Sequence, residues 1–235
     1  MTHKHISEQF NAELDGLSSE VLALGGIVET QLLNSCNALQ EGDSSLADEV
    51  ILLDKLVNEK EKSIDEQCSQ ILARRHPAAG DLRLVLSIIK VISDLERIGD
   101  ESKKIAHMAI ALSDWDKPAG NYTELRHLGE HVRKTLHNAL DAFARMDVKL
   151  ALEVVLEDEK VDLEYEAIIR QLMTLAMENP ANMQRVLHTI WAARALERVG
   201  DHATNICEYV IYAAEGKDVR HESKEQLKKE FSAYH

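Results

Sequence analysis

One short stretch occurs twice, and it constrains the fold more than any other part of the chain. The first copy is Leu95-Glu96-Arg97-Ile98-Gly99-Asp100, and the second, 101 residues later, is Leu196-Glu197-Arg198-Val199-Gly200-Asp201. Both lie in long runs of helical apolar spacing. Residues four apart share a helix face, so Glu96 stacks on Asp100 and Glu197 on Asp201. Tracing each stripe towards the N-terminus by threes and fours leads through Ile92, Ile89 and Val85, and through Ala193, Ile190 and Val186. The acidic pairs therefore continue an apolar seam. Carboxylates at the edge of a core repel and lose hydration unless a cation or donor compensates. Each run also holds a glycine, which costs a helix about 1 kcal/mol relative to alanine.

The duplication extends beyond the motif. Gly42-Asp43 pairs with Met146-Asp147, Asp54 with Asp158, Asn58 with Asp162, and Pro77 with Pro180. This is an internal repeat of a three-helix unit. Few prolines and glycines, 4% aromatics and an abundance of Leu, Ala, Glu and Ile fit long helices and exclude a turn-rich β fold. The expected fold is all-α: a tandem duplication of an antiparallel three-helix bundle with six long helices. The helices are predicted over about residues 8–40, 45–74, 81–113, 123–145, 148–178 and 182–215. The domains are 1–116, 121–216 and a charged tail, 217–235, read as a short, loosely held helix, with Pro118 at the joint. Gly25-Gly26 reads as a close-packing point in the first helix.

Antiparallel helices rise equally from their shared turn, at about 1.5 Å per residue. Asn58 and Asp54 lie 19 and 23 residues before Pro77, and Glu96 and Asp100 lie 19 and 23 after it. Asp162 and Asp158 lie 18 and 22 before Pro180, with Glu197 and Asp201 17 and 21 after it. Each half thus sets oxygen-bearing side chains at one level. The candidate metal ligands are Asp54, Glu96 and Asp100, and Asp158, Asp162, Glu197 and Asp201. All-oxygen ligation suits Mg²⁺, Ca²⁺ or Mn²⁺, admits iron, and suits zinc less. The competing reading is a solvated acidic face paired with Arg97 and Arg198. Lys104 and His107 align with Asn205 and Glu208, so Lys104 is expected to neutralise the first set and leave the second as the better cation site.

His127-Leu128-Gly129-Glu130-His131 fits a zinc-peptidase pattern, H-x-x-E-H, and Glu124-x-x-His127 fits half of a carboxylate-bridged di-metal set. The first lacks its α/β context and the second its repeat. Leu125, Leu128, Val132 and Leu136 form the core stripe of that helix, which leaves these polar residues on its outer face. His202 is expected at the surface. No phosphate loop or G-x-G-x-x-G occurs, so no nucleotide is expected. A net charge of −14 argues against general nucleic-acid binding. Three scattered cysteines read as reduced thiols in a cytosolic protein, and no stretch is long and apolar enough to span a membrane.

Two tandem three-helix units, each bearing E-R-[IV]-G-D on its third helix, resemble the PhoU family of phosphate-signalling regulators. Ala73-Arg74-Arg75-His76-Pro77 with Asp81-Leu82-Arg83 is similar to the family's turn between second and third helices. Asp94 to Asp100, and Arg198 to Ile206 with its Asp201-His202-Ala203-Thr204-Asn205, also resemble family motifs. The resemblance covers about residues 8–215. It implies a cytoplasmic, non-enzymatic negative regulator of phosphate-starvation signalling. Such a regulator couples the ATPase subunit of a phosphate ABC transporter to a phosphate-sensing histidine kinase. The resemblance also implies a homodimer, peripheral membrane association through these partners, and iron or zinc at Glu96, Asp100, Glu197 and Asp201. Ala195, where the first copy has Asp94, and Ala181-Asn182, where Asp-Leu-Arg would match, depart from the pattern. The alternatives are a carboxylate-bridged metalloenzyme and a helical protein whose acidic stripes bind only arginine.

Overall fold

In the computed structural model the backbone is described for residues 2–113 and 123–230, and side chains from residue 8 onward within these spans except Lys228 and Glu230. The helices are α1 (Thr2–Glu41), α2 (Ser44–Arg75), α3 (Ala79–Ser113), α4 (Thr123–Arg145), α5 (Val148–Glu178), α6 (Met183–Glu215) and α7 (Lys224–Glu230). A 3₁₀ turn, Pro180–Asn182, leads into α6. Among the described residues there is no strand. The predicted joint at Pro118 lies outside the described residues. The first helix begins earlier than its apolar spacing suggested, because residues 2–7 extend it.

The repeat is visible in the turns. Asp43 caps α2 by accepting from the Ser45 and Leu46 amides, and Asp147 caps α5 by accepting from the Leu150 amide. Gly42 (φ 67°) and Met146 (φ 49°), each preceding its cap, hold matching left-handed conformations. Pro77 and Pro180 mark the α2–α3 and α5–α6 turns, where proline's fixed φ and missing N–H discourage continuation of the preceding helix.

Like elements of the two halves meet antiparallel. Along α3 and α6, the most extensive helix contact, Ser87 Oγ donates to the Tyr209 carbonyl at 3.2 Å and Asp94 meets His202 further on. Along α1 and α4, Glu29 meets His137 and Cys36 lies against Gly129. This is the geometry of a local two-fold axis, and one apolar core runs through both halves.

The glycines follow from this packing. A methyl group on Gly25 would come within 2.6 Å of Leu140, so this glycine lets α4 approach α1. Gly26 has nothing within 4 Å, which corrects the expectation that both glycines serve packing. A Cβ at Gly99 would lie 3.1 Å from Gln31 Oε1 and 3.3 Å from Val57, and one at Gly200 would lie 3.2 Å from Val161. The repeated glycine lets the second helix of each unit close on the third beside the acidic pair.

The described part of the tail, to residue 230, is not loosely held. Val219 and Leu227 are buried and join the core, Gly216 ends α6 in a left-handed conformation, and Lys224 reaches to 3.9 Å from Glu159. Two apolar anchors eight residues apart suffice to dock a segment that its charge alone would assign to solvent.

Candidate metal centre

The second half brings three of its four predicted carboxylates together. Asp162 from α5 and Glu197 and Asp201 from α6 each place an oxygen within 4.8 Å of the others, the one such group of three among the described residues. The level arithmetic accounts for this, since α5 and α6 rise side by side from the Pro180 turn. Glu197 is buried and the other two are exposed. Burial foremost, and Asp201 next, push the Glu197 carboxyl up to about 7. Asp162 and Asp201 are also raised by burial and then by neighbouring carboxylates. Glu197 Oε1 accepts from Arg194 Nη1 at 2.5 Å, while its Oε2 is buried with no partner among the described residues. Arg194 itself lies over the Tyr165 ring. An all-oxygen trio with one orphaned buried acceptor fits a hard cation. Asp158, the fourth predicted ligand, accepts instead from Thr204 Oγ1 at 3.0 Å.

The first half arranges the same elements differently. Lys103 Nζ bonds Asp54 Oδ2 at 2.7 Å and lies 3.9 Å from Asp100 Oδ1. Burial, followed by Asp100, Glu61 and Asp54, raises the Glu96 carboxyl. Neutralisation thus falls to Lys103 and not to Lys104, which pairs with Glu101 at 2.9 Å. A helix turns about 100° per residue, so this one-residue difference carries the ammonium from the halves' seam to the acidic stripe. Each set thus has one bonded cation, Lys103 on Asp54 and Arg194 on Glu197, but only the second brings three carboxylates within 4.8 Å of one another, and it fits a metal better.

His202 is buried, contrary to expectation, with Nδ1 at 2.7 Å from Asp94 Oδ1. The carboxylate only accepts, so Nδ1 carries the hydrogen. Asn205 Nδ2 also reaches Asp94, at 3.4 Å. Further along the seam, buried Glu101 accepts from Arg198 Nε at 3.0 Å. The two-fold relation maps Asp94–His202 onto position 195 and Glu101. An acid there would meet the Glu101 carboxylate, which accounts for Ala195 in the second copy. Asp94, Glu101 and His202 read as surface charges on an isolated helix, and only the meeting of the halves buries them.

The H-x-x-E-H stretch assembles nothing comparable. His127, Glu130 and Glu124 are exposed, and His131 pairs with Glu164 at 3.0 Å. Leu125, Leu128, Val132 and Leu136 are buried as the core stripe requires. The three cysteines are free and buried, and burial pushes Cys36 and Cys68 up to about 12, which keeps both as unreactive thiols.

Comparison with known proteins follows the same division. The sequence model of the PhoU domain matches twice, at residues 21–109 and 125–210. The chain is 52% identical over 230 residues to the phosphate-specific transport system accessory protein PhoU homolog of Pseudomonas aeruginosa, covering 98% of this chain and 95% of that one. It is 47% identical over 228 residues to the Escherichia coli K12 protein PhoU, covering 97% and 94%. The crystal structure of PhoU from P. aeruginosa superposes with a TM-score of 0.86 at 51% identity, covering 88% of this chain and all of that one. The phosphate transport system regulatory protein PhoU from Streptococcus pneumoniae does so at 0.83 and 28% identity, covering 89% and 99%. With two domain matches on the two halves of a shared fold, the chain belongs to the PhoU family.

Proposed function

We propose that this protein is an accessory regulator of phosphate transport that keeps phosphate-starvation signalling off when phosphate is plentiful. It acts by binding, between the ATPase subunit of a phosphate ABC transporter and a phosphate-sensing histidine kinase, on the cytoplasmic side and as a homodimer. The observation that carries the reading is near full-length similarity, over both halves, to proteins named as phosphate-transport accessory or regulatory proteins. The surface supports it. Met173, Met177, Met183, Leu187 and Trp191 at the α5–α6 end are exposed, and side chains of this kind suit adaptable protein contacts. No described helix is long and apolar enough to cross a membrane, which agrees with membrane association through partners.

Asp162, Glu197 and Asp201 are the proposed cation site, which would tie α5 to α6 and set the shape of that face. The ion would supply charge neutralisation, and the chain's own part is to hold three oxygens on two helices. A clean deletion should derepress a starvation reporter in high phosphate. Tagged protein should retain the transporter ATPase and the kinase from membranes of phosphate-replete cells. A reporter that stays silent in the deletion strain would overturn the regulatory reading.

A further inference from the structure

We propose that Lys103 is the resident cation of the first acidic centre, its ammonium standing where the second half offers only a neutral hydroxyl beside its carboxylate trio. The third helices of the two units align at an offset of 101 residues, which pairs Lys103 with Thr204. Both side chains reach the matching acid of the second helix. Lys103 Nζ lies 2.7 Å from Asp54 Oδ2, and Thr204 Oγ1 lies 3.0 Å from Asp158 Oδ1. The position is the same and the chemistry differs by a full charge. Lys103 also approaches Asp100 at 3.9 Å, so one cation bridges carboxylates of α2 and α3, as a metal held by the second half would bridge α5 and α6.

The surroundings of Asp54 are built for a cation. Gln31 Oε1, Asp54 Oδ1 and Asn58 Oδ1 are buried acceptors without a donor among the described residues. Two of them converge on Gly99, whose Cβ would lie 3.1 Å from Gln31 Oε1 and 3.9 Å from Asp54 Oδ1. The Gln31 amide is oriented by Nε2 donating to the Val50 carbonyl at 3.3 Å, because a flip would set acceptor against acceptor. The Asp54 side chain is 4% exposed, and a carboxylate so buried is costly without a counter-charge. The first centre has Asn58 where the second has Asp162, and so has one carboxylate fewer; its ammonium sits on the acid of the second helix, whereas the second centre's guanidinium, Arg194, sits on Glu197 of the third. An external ion must there displace a charge-assisted bond to a tethered group. The two centres of one repeat therefore divide into one whose buried second-helix acid has its own counter-cation and one whose second-helix acid meets only a hydroxyl.

The inference rests on the cation reading of the second half only for the second centre, and exchange of the two residues separates them. Full-length wild type, Lys103→Thr, Lys103→Gln, Lys103→Arg and Thr204→Lys are stripped with chelator and titrated with Mn²⁺. Stoichiometry is read by native mass spectrometry and stability by thermal unfolding. Lys103→Thr and Lys103→Gln should each bind one Mn²⁺ more than wild type, melt lower in chelator, and recover with Mn²⁺. Lys103→Arg should match wild type in both readouts. Thr204→Lys should weaken Mn²⁺ at the second centre by roughly tenfold or more, from the added like charge beside the ion. Folded Lys103→Thr or Lys103→Gln protein with no additional Mn²⁺, or a Thr204→Lys protein that responds like a Mn²⁺-binding wild type, would overturn the proposal. If wild type binds no Mn²⁺ while a neutral Lys103 variant gains one, the Lys103 assignment stands and the second-half reading fails.

Discussion

At the residue scale, Glu197 carries the most informative chemistry. Its carboxyl titrates near 7 in the fold because of burial first and Asp201 second, against 4.5 for the free group. Between these values the folded chain binds more protons than the unfolded one. Stability of the metal-free protein should therefore fall as pH rises from about 4.5 to 7, and Glu197→Gln should flatten that slope. Glu208, raised by burial to about 7, contributes in the same sense, so part of the slope should remain in the variant. Chemical denaturation at several pH values in chelator tests this. At neutral pH, a cation at 100 times its dissociation constant should add about 2.7 kcal/mol to the wild type. The double change Glu197→Gln, Asp201→Asn should abolish this gain and raise the metal-free melting temperature, because the repulsion leaves with the charge. An equal response of wild type and double variant to Mn²⁺, Fe²⁺, Zn²⁺ and Mg²⁺ would refute the metal centre.

At the scale of elements, neighbouring glycines in α1 make opposite predictions. Gly26 sits mid-helix in open space, so Gly26→Ala should stabilise by about 1 kcal/mol through helix propensity. Gly25→Ala should lose that gain to Leu140, which must shift from 2.6 Å and disturb the α1–α4 contact. Urea unfolding of the two variants side by side reads the difference directly. The same sequence signal, a glycine inside a helix, thus has two meanings, and only the identity of the facing helix separates them. Removal of the Asp147 cap by Asp147→Ala should cost about 1 kcal/mol, because the Leu150 amide loses its acceptor.

At the scale of the whole molecule, the seam between α3 and α6 decides how the halves sit together. Asp94 with His202 and Glu101 with Arg198 are polar contacts across a largely apolar interface. Their partners belong to different repeats, so these contacts couple the two bundles, and breaking them should lower the stability of both. Ala195→Asp would restore the symmetry of the motif while setting a second carboxylate against buried Glu101. It should destabilise the protein by on the order of 3 kcal/mol, measured by thermal unfolding, with partial relief at acidic pH. Wild-type stability in this variant would refute the two-fold account of Ala195.

The amino-acid order by itself determined the helical class, the repeat, the turns and the level of the acidic side chains. Those features depend on local periodicity, on capping and proline chemistry, and on the constant rise of a helix. The trio of Asp162, Glu197 and Asp201 was legible for that reason, since the two helices that carry it share one short turn. Lys103, the burial of His202, the reason for Ala195 and the docking of Val219 and Leu227 were not legible. Each depends on how far a helix is rotated about its axis, or on which distant surface covers it. Rotation and covering are set by the sum of side-chain packing across helices far apart in the chain, and no local spacing encodes them.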